Sequence, residues 1–423
     1  MASLPLQTLA QQIDAALSRP LTKPLRIAVE LEHSIDPLAW IAHQPFSQKM
    51  AWQNQAGVGS AKDWPFDAEP ETFAWLEACF NNPNLADISV YGGVAFPTAT
   101  LADAWQVFGR SRWFVPQIEL KTENTTTTLA CTLWPGQTPE TIHAVLDQLV
   151  WNTPTLLPKL ALESPQFCPD FDTFQTLFNG VSKGFVDSIF QKLVLARTCR
   201  ATFKHTNPYS LLSAFQTPAL VPFGFTFGNT TFLGATPERF LVANGDQVET
   251  PALAGTVPRG SNPIEDASLE AMLTHSPKLD QEHRIVAQDI EKVFAKYTTF
   301  TQTDTLLKLT KLQHRLTRFS GTRHGALTDM LTDLYPTSAV GGTPTSAALN
   351  WLAENEPFDR GWYSGLVGQV SFQKLDLAVA LRSALFEGNR CQLYSGIGLV
   401  PGSNVDSEWQ ELNLKLAPFL DLN

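Results

Sequence analysis

Apolar residues recur along this chain at two different spacings, and the spacing changes from one stretch to the next. Near the N-terminus Leu6, Leu9, Ile13 and Leu17 lie three or four residues apart, which predicts an amphipathic helix over residues 5–18. Later stretches alternate apolar with polar positions and are rich in β-branched side chains, a pattern typical of strands and hairpins. In the first third of the chain the predicted strands cover residues 25–31, 88–96, 112–120 and 126–134.

The rest of the chain groups its helical and strand-like stretches without regular strand–helix–strand alternation. Helical patterns cover residues 139–151, 171–190, 263–298 and 325–334, and a last helix follows residue 400. Strand patterns cover residues 191–203, 223–256, 305–316, 361–372, 377–387 and 391–400. This grouping predicts an α+β fold with large antiparallel β-sheets rather than a doubly wound fold. A stretch rich in proline and polar residues, 152–171, is the predicted internal boundary.

Composition and charge narrow the classes of function that this chain can serve. Its 423 residues are 43% hydrophobic and 17% charged, which is typical of a folded protein. The net charge of -11 argues against a nucleic-acid-binding surface, and an anionic ligand would need local cations or a divalent metal. No apolar run approaches the roughly 18 residues of a membrane span, and no signal sequence is evident. The five cysteines lack C-x-x-C spacing, so we expect reduced thiols in a cytoplasmic protein.

The last strand and the helix after it carry the densest set of candidate binding groups. Gly396 and Gly398 form a G-x-G sequence that we interpret as a turn with an accessible backbone. Glu408, Glu411 and Lys415 follow at spacings of three and four residues, which places them on one face of a helix. Two carboxylates and one ammonium group there indicate a site that holds a metal and an anionic ligand. A solvated charged face of an amphipathic helix is the alternative.

Two residues far upstream have the environment that proton transfer requires. Lys192 stands at the entry of the apolar sequence LVLA, where loss of solvent would lower its pKa and make it a general base. A lysine that extends its ammonium group to solvent is the alternative. Glu238 follows a predicted strand and could act as a general acid if burial raises its pKa. An ion pair with a nearby arginine is the alternative for Glu238.

Other polar residues in the second half of the chain could bind a metal or an anion. Glu282 lies in a predicted helix and could be a magnesium ligand, whereas its neighbour His283 is more often a structural histidine, as is His314. Arg382 lies in an otherwise apolar predicted strand and needs a carboxylate partner from the protein or a ligand. Two Gly-Thr sequences, ALAGT at 252–256 and GGTP at 341–344, are interpreted as turns that could hold a carboxylate; neither matches a nucleotide-binding fingerprint.

Eight separated motifs give the chain its resemblance to a known family. The sequence contains, in order, KLVLAR, TPERF, ALAGTVPRG, a helix with EH, PTSAVGGTP, FDRGWYSG, VALRSAL, and YSGIGLVPGS followed by EWQEL and a lysine. In this order and spacing they resemble the chorismate-utilising enzymes, which include isochorismate synthase, salicylate synthase, anthranilate synthase component I and aminodeoxychorismate synthase component I. The resemblance covers residues 165–418, the expected chorismate-binding catalytic region. It implies that residues 1–160 are a variable N-terminal part that completes the same fold.

The resemblance also implies a fold, a reaction and a set of site residues. The fold would be a sandwich of large antiparallel sheets flanked by helices. The reaction would be a magnesium-dependent isomerisation of chorismate, in which water adds at ring C2 and a hydroxyl leaves C4. Lys192 would be the general base and Glu238 the general acid. The metal ligands would be Glu282 and Glu411, with Glu408 beside them. The substrate-binding residues would be Thr256, His314, Arg382, Tyr394, Gly396, Gly398 and Lys415.

Local sequence favours one branch of the family and leaves others open. AVGGTP together with RGWYSG resembles most closely the isochorismate synthases of menaquinone biosynthesis, which need no obligate glutaminase partner. Ala254 replaces the lysine typical of aminodeoxychorismate synthase, which argues against that branch. Ser338 and the sequence GIGLV depart from the usual pattern without removing a candidate catalytic group. The alternatives are salicylate synthase, anthranilate synthase component I with ammonia as nucleophile, and a catalytically silent chorismate-binding protein.

Overall fold

The computed structural model describes residues 3–151, 162–203, 207–215 and 217–422. The predicted boundary segment therefore lies partly outside the described residues. Within them the chain forms ten α-helices: α1 (Ser3–Leu17), α2 (Pro37–Ala42), α3 (Glu69–Phe80), α4 (Pro139–Leu146), α5 (Phe171–Val186), α6 (Pro263–His275), α7 (Pro277–Tyr297), α8 (Leu327–Leu334), α9 (Thr345–Asn355) and α10 (Val405–Leu420). Three 3-10 helices lie at Pro83–Leu85, Asp103–Trp105 and Pro208–Phe215.

Strands supply the larger part of the scaffold, and every strand pair in it is antiparallel. The described strands are β1 (Leu25–Glu30), β2 (Gln48–Trp52), β3 (Gln55–Val58), β4 (Lys62–Phe66), β5 (Val90–Val94), β6 (Ser111–Val115), β7 (Ile118–Glu123), β8 (Thr126–Leu133), β9 (Leu162–Cys168), β10 (Lys192–Phe203), β11 (Val221–Phe227), β12 (Thr230–Thr236), β13 (Arg239–Asn244), β14 (Gln247–Pro258), β15 (Thr298–Lys308), β16 (Leu312–Arg323), β17 (Gly342–Thr343), β18 (Leu366–Ser371), β19 (Lys374–Val379), β20 (Ser383–Glu387) and β21 (Arg390–Leu399).

The strands form two large sheets. A 12-stranded sheet has the order β1-β8-β7-β3-β2-β11-β12-β20-β21-β10-β17, with β9 also paired to β10. A 9-stranded sheet has the order β15-β16-β14-β13-β19-β18-β5-β6-β4. Helices flank the sheets, so the predicted α+β class with large antiparallel sheets is confirmed. Both sheets contain strands from before and after residue 160; the proposed division of the chain at that point stays a prediction.

Apolar side chains from both sheets and the flanking helices form the core. The helical stripe predicted near the N-terminus is present in α1, where Leu9 and Ile13 are fully buried. Several tryptophans pack in the interior, among them Trp52, Trp113 and Trp362, each with no exposed surface. Such rings bury large apolar areas and stabilise the packing of one sheet on the other. No described helix is long and apolar enough to cross a membrane.

The predicted helix over residues 263–298 is wrong in one respect, because it is two helices. Helix α6 ends at His275, and α7 begins at Pro277. Between them Ser276 has an extended backbone, and its hydroxyl accepts a hydrogen bond from the Leu279 N–H. Serine as N-cap followed by proline in the first turn is a common helix start, and it divides the apolar periodicity here.

Several predicted strands also prove to be interrupted. Residues 305–316 are not one strand but the turn-containing part of the β15–β16 hairpin. Residues 112–120 belong to two strands, β6 and β7. Of residues 361–372, only Leu366–Ser371 form a strand, β18. The helix predicted over 139–151 ends at Leu146. In each case the apolar pattern continues through a bend, so the pattern alone does not mark the end of the element.

Two corrections affect candidate site residues. Arg382 does not lie within a strand: it stands in the break between β19 and β20, with φ of 47°. The sequence ALAGT is not a turn, because it lies inside β14 and pairs with β16. Gly255 forms a bulge there with φ of 76°, a conformation that favours glycine, and the ladder shifts register between Ala254 and Thr256. The candidate site is therefore lined here by residues in the middle of strand β14, and not by a loop.

Candidate active site

A pocket between the two sheets brings together residues that lie far apart in the sequence. Strand β10 supplies one wall, β14 and β16 a second, β21 with α10 a third, and α7 closes one end. Ten of the twelve predicted site residues line it: Lys192, Glu238, Thr256, Glu282, His314, Arg382, Tyr394, Gly396, Gly398 and Lys415. The remaining two, Glu408 and Glu411, lie next to it on α10.

A larger surface cavity of about 910 Å³ lies next to this pocket and shares Pro237 with it. Its arginines are already paired with protein carboxylates. Arg239 pairs with Asp376, and Arg318 pairs with Glu249. The smaller pocket also contains a paired cation, Lys415, but it gathers buried ionisable groups whose pKa values burial shifts, among them Lys192 and Glu238. We therefore place the candidate active site there.

Lys192 is the first residue of β10, and its side chain is 1% exposed. Its Nζ lies 3.9 Å from Glu282 Oε1. Burial lowers the pKa of Lys192, and Lys415 lowers it further, while Glu282 and Glu238 act in the opposite direction. A lowered pKa makes loss of the ammonium proton easier, and a neutral amine can accept a proton.

Glu238 lies between β12 and β13 and is 5% exposed. Its backbone is held at both ends: its N–H donates to Thr236 Oγ1 at 3.2 Å, and its carbonyl accepts from the Val379 N–H at 3.0 Å. Burial raises the pKa of Glu238 to about 7, although Lys192 and Lys415 counteract that rise. At neutral pH a large fraction of this carboxyl group is therefore protonated and can donate a proton.

Three carboxylates lie where α7 meets α10. Glu282 belongs to α7, whereas Glu408 and Glu411 belong to α10. Glu408 is 1% exposed and lies 2.5 Å from the Nζ of Lys278. Burial raises the pKa of Glu408, and Lys278 partly reverses the effect. Glu411 Oε1 lies 2.8 Å from the Nζ of Lys415.

Lys278 is a member of this cluster that the sequence pattern did not indicate. Burial alone would lower its pKa, but the nearby carboxylates, Glu408 above all and then Glu282, raise it overall. The only sequence signal is its place one turn before Glu282, which is shared by many surface lysines on helices. Its ion pair with Glu408 depends on α10 packing near α7, which no local pattern predicts.

Gly396 and Gly398 do not form the predicted turn, because both lie inside β21 and face Ala196 and Val194 across the ladder. The N–H groups of Val194 and Ala196 are bound by Gly341 and Glu356, on the side away from β21. In an antiparallel ladder, two facing residues that do not hydrogen-bond to each other direct their N–H and C=O groups away from each other. The N–H groups of both glycines therefore point away from β10.

The absence of side chains at these glycines makes room for catalytic groups. A Cβ atom at Gly398 would lie 2.7 Å from Glu282 Oε1 and 2.9 Å from Lys192 Cε. A Cβ atom at Gly396 would lie 2.6 Å from the Tyr363 hydroxyl. The carbonyl of Gly396 accepts a hydrogen bond from Lys415 Nζ at 2.9 Å. These glycines thus permit the close approach of side chains.

Polar groups for a ligand lie along the opposite walls. Thr256 Oγ1 and His314 Nδ1 are 2.9 Å apart, and burial lowers the pKa of His314 well below its usual value. Its other ring nitrogen is buried without a hydrogen-bond partner in the described part of the chain. Burial also lowers the pKa of Arg382, and Glu411 opposes that effect. His283 is structural, as expected, because it contacts Thr317 Oγ1 at 2.8 Å.

The tyrosines of the pocket differ in their contacts. The Tyr394 hydroxyl accepts a hydrogen bond from Trp105 Nε1 at 3.2 Å. The ring of Tyr394 stacks on Tyr363, with centroids 4.9 Å apart and 16° between planes. Tyr363 also lines the pocket, although it is not among the residues that the sequence pattern indicates. Its place in GWYSG, directly before β18, is the signal that could identify it.

Comparisons with known proteins agree on one family. The family described as "Chorismate binding enzyme" matches residues 12–422. "Isochorismate synthase MenF" of Escherichia coli (strain K12) is 28% identical over 428 residues, covering 97% of this chain and 95% of that protein. "Isochorismate synthase 2, chloroplastic" of Arabidopsis thaliana is 31% identical over 356 residues, covering 78% of this chain. The match spans 63% of the Arabidopsis protein.

Solved structures share the fold. The structure of MenF, the menaquinone-specific isochorismate synthase of Escherichia coli, superposes with a TM-score of 0.86 at 27% identity and covers 99% of both chains. Anthranilate synthase component I of Streptococcus pneumoniae TIGR4 superposes with a TM-score of 0.68 at 16% identity, covering 92% of this chain and 95% of that one. At that identity the second match bears on the fold alone.

Proposed function

Because this chain belongs to the chorismate-binding enzyme family, we propose that it is an isochorismate synthase, an isomerase that converts chorismate to isochorismate. The likeness to isochorismate synthases over nearly the whole chain supports this reaction. The observation that carries the proposal is that one pocket holds a buried lysine and a buried glutamate, with burial lowering the pKa of the lysine and raising that of the glutamate. The likeness to a menaquinone-specific enzyme supports a role in menaquinone biosynthesis.

The proposed reaction adds water to one ring carbon and releases water from another. Neutral Lys192 accepts a proton from the water whose oxygen bonds to C2. The ring double bonds shift, and the bond between C4 and its hydroxyl oxygen breaks. Glu238 donates its proton to that oxygen, so one water enters and one leaves. Burial of both groups supports these roles, since it moves the two pKa values toward neutral pH from opposite sides.

Binding of the substrate requires cations, because chorismate carries two carboxylates. Arg382 and Lys415 are the cations that we propose for them, with the N–H groups of Gly396 and Gly398. Thr256, His314 and Tyr394 would complete the contacts by donating or accepting hydrogen bonds. Tyr363 lines the same pocket, and we propose that it also contacts the substrate. In a pocket with little water, charge-assisted hydrogen bonds to a carboxylate are strong and directional.

The carboxylates of α7 and α10 have the chemistry that a magnesium ion requires. Hard oxygen ligands from one or two carboxylates, with water and substrate oxygens, are its usual set. We propose that Glu282 and Glu411 hold the ion and that Glu408 stands beside them. When bound, magnesium would neutralise a substrate carboxylate and stabilise charge that develops on the ring. Each of the three carboxylates already has a lysine nearby, and no three acidic or histidine side chains of the described residues lie close enough together to hold a metal by themselves. The proposed ion would therefore need substrate oxygens and water to complete its ligands.

The choice of water as the nucleophile bears on whether the enzyme needs a partner subunit that supplies ammonia. An enzyme that uses water requires no source of ammonia, so we propose that this protein acts without a glutaminase subunit. We also propose a cytoplasmic location, which is supported by five free cysteines of which four are buried. Chorismate is the proposed small-molecule partner.

Identification of the product tests the proposed function. Purified protein is incubated with chorismate and Mg²⁺, with and without an ammonium salt, and the products are identified by NMR. Isochorismate in both reactions is the expected result. Salicylate with pyruvate would identify a salicylate synthase, and anthranilate formed only with ammonium would identify an anthranilate synthase. Unchanged chorismate under all conditions would indicate a binding protein and would overturn the assignment.

A further inference from the structure

A buried ion pair behind the pocket has no part in the proton transfers described above. The Arg360 side chain is 1% exposed and the Glu356 side chain 4%. Two hydrogen bonds join them: Arg360 Nε lies 2.6 Å from Glu356 Oε2, and Arg360 Nη2 lies 2.7 Å from Glu356 Oε1. Arg360 also lies over the ring of Phe96, 4.4 Å from its centroid. Burial of two charges is costly unless further hydrogen bonds satisfy the remaining polar atoms, and both side chains make such bonds.

Those contacts reach one edge of β10. Arg360 Nη2 donates to the carbonyl of Val194 at 2.7 Å, and Glu356 Oε1 accepts from the Ala196 N–H at 3.0 Å. On this edge β17 pairs only with Lys192 and Leu193, and β9 pairs from Thr198 onward. The ion pair therefore supplies side-chain partners to a stretch of strand edge that lies between two backbone partners.

The same guanidinium also binds a second wall of the pocket. Arg360 Nη1 donates to the carbonyl of Val340 at 3.0 Å. The loop around Val340 is tied to β10 as well, because the Val194 N–H donates to the Gly341 carbonyl at 3.0 Å. Both Val194 and Val340 line the pocket. One side chain thus connects three motifs of the sequence, KLVLAR, PTSAVGGTP and FDRGWYSG.

The position of this edge determines where Lys192 lies. Lys192 and Val194 are two residues apart on one strand, so their side chains project from the same face. A change in the backbone at Val194 would displace the Lys192 amine relative to Glu282, which is 3.9 Å away. Small displacements of a catalytic group are costly, since about 1 Å of misplacement can reduce a rate 100-fold.

We propose that Arg360 and Glu356 are positioning residues, which hold β10 and the Val340 loop in the arrangement that places Lys192 for proton transfer. The role rests on the proposed function and assigns a task to residues outside the substrate contacts. Arginine is required because its planar guanidinium reaches the carboxylate and two carbonyls at once. A lysine would keep the charge, but its three N–H donors radiate from one nitrogen, which cannot reach acceptors that Arg360 contacts through three separate nitrogens.

The test compares one Arg→Lys substitution with a matched one. Arg360→Lys retains the positive charge but removes the simultaneous hydrogen bonds to Glu356, Val194 and Val340. The control, Arg26→Lys, alters a largely buried ion pair with Glu119 near the opposite edge of the 12-stranded sheet. We expect kcat of Arg360→Lys to fall by about 10- to 100-fold and KM for chorismate to change less than about threefold. Arg26→Lys should keep kcat within about twofold. Kinetics are measured at a temperature where circular dichroism shows each protein folded.

Hydrogen exchange provides a second measurement that needs no substrate. The Ala196 N–H donates to Glu356, so Arg360→Lys and Glu356→Ala, which removes the acceptor, should both accelerate exchange in the segment that contains Ala196. Unchanged kcat in Arg360→Lys, an equal loss in Arg26→Lys, or unchanged exchange at Ala196 would each overturn the proposal. If the wild-type protein forms no isochorismate, the proposed function fails, but the exchange result still decides whether the pair holds the strand.

Discussion

Replacement of Glu238 by glutamine should increase stability while it lowers turnover by orders of magnitude. The carboxyl group of Glu238 is 5% exposed, and burial raises its pKa from 4.5 to about 7. Glutamine has nearly the same shape but carries no charge at any pH and no proton of suitable acidity. The same substitution therefore removes the proposed general acid and the cost of ionising it inside the protein.

The size of the effect follows from the two pKa values. Between pH 4.5 and 7 the folded protein retains a proton that the unfolded chain has released. Stability must therefore fall as pH rises through this range. Each tenfold change in proton affinity is worth about 1.4 kcal/mol, so a rise from 4.5 to about 7 costs the folded wild-type protein about 3 kcal/mol above neutral pH. Glu238→Gln is free of this cost.

Unfolding at two pH values measures the prediction. Thermal unfolding of wild type and Glu238→Gln is followed by circular dichroism at pH 5 and pH 8. We expect the stability advantage of the variant to be larger at pH 8 than at pH 5, by an amount approaching about 3 kcal/mol. Turnover of chorismate should fall by about 10²- to 10⁴-fold, the usual contribution of a general acid.

An exposed glutamate supplies the control. Glu354→Gln alters a carboxyl group at the surface of α9, and its stability relative to wild type should differ little between the two pH values. If the advantage of Glu238→Gln is the same at pH 5 and pH 8, the carboxyl group of Glu238 is not desolvated and the reasoning is refuted. Retained turnover in Glu238→Gln would separately exclude its role as the acid.

Three further substitutions test the other roles. Lys192→Gln should lower kcat by about 10²- to 10⁴-fold with an unchanged circular dichroism spectrum, and retained activity would exclude Lys192 as the base. Arg382→Gln removes a charged hydrogen-bond donor worth about 1.5–3 kcal/mol, so KM should rise by about 10- to 100-fold; an unchanged KM would contradict carboxylate binding there. Glu411→Gln should raise the Mg²⁺ concentration for half-maximal activity by about tenfold or more, and calorimetry with Mg²⁺ alone should show the same change. Equal Mg²⁺ affinity in the variant would remove Glu411 from the metal site.

The sequence is most informative where chemistry and local pattern coincide. Residue type and position indicate Lys192 at the start of an apolar strand and Glu238 after a strand, and both are buried in one pocket. The burial of Lys192 is indicated by the sequence after it, because Leu193, Val194 and Leu195 are buried in the same strand. Glu238 stands between Pro237 and Arg239, so its burial depends on packing that its neighbours in the sequence do not indicate.

Local patterns are less informative about where elements end. The apolar pattern over 263–298 conceals a Ser-Pro break, and the strand pattern over 377–387 conceals a break at Arg382. Apolar periodicity persists through such breaks, because both flanking elements bury the same side of the chain. The turn predicted at the glycines of β21 is wrong for a related reason: glycine is common in turns, yet here it makes room for Glu282, Lys192 and Tyr363.

The amino-acid sequence by itself determined the class of fold, the family and the candidate proton-transfer and metal-binding groups, since these depend on residue type, spacing and order. Only the tertiary structure decided which groups act on one another. The ion pairs of Lys278 with Glu408 and of Arg360 with Glu356, and the bonds from Arg360 to Val194 and Val340, depend on elements that lie far apart in the chain. Sheet pairing and helix packing create these contacts, and a pattern along one strand or helix contains no information about its neighbour in space.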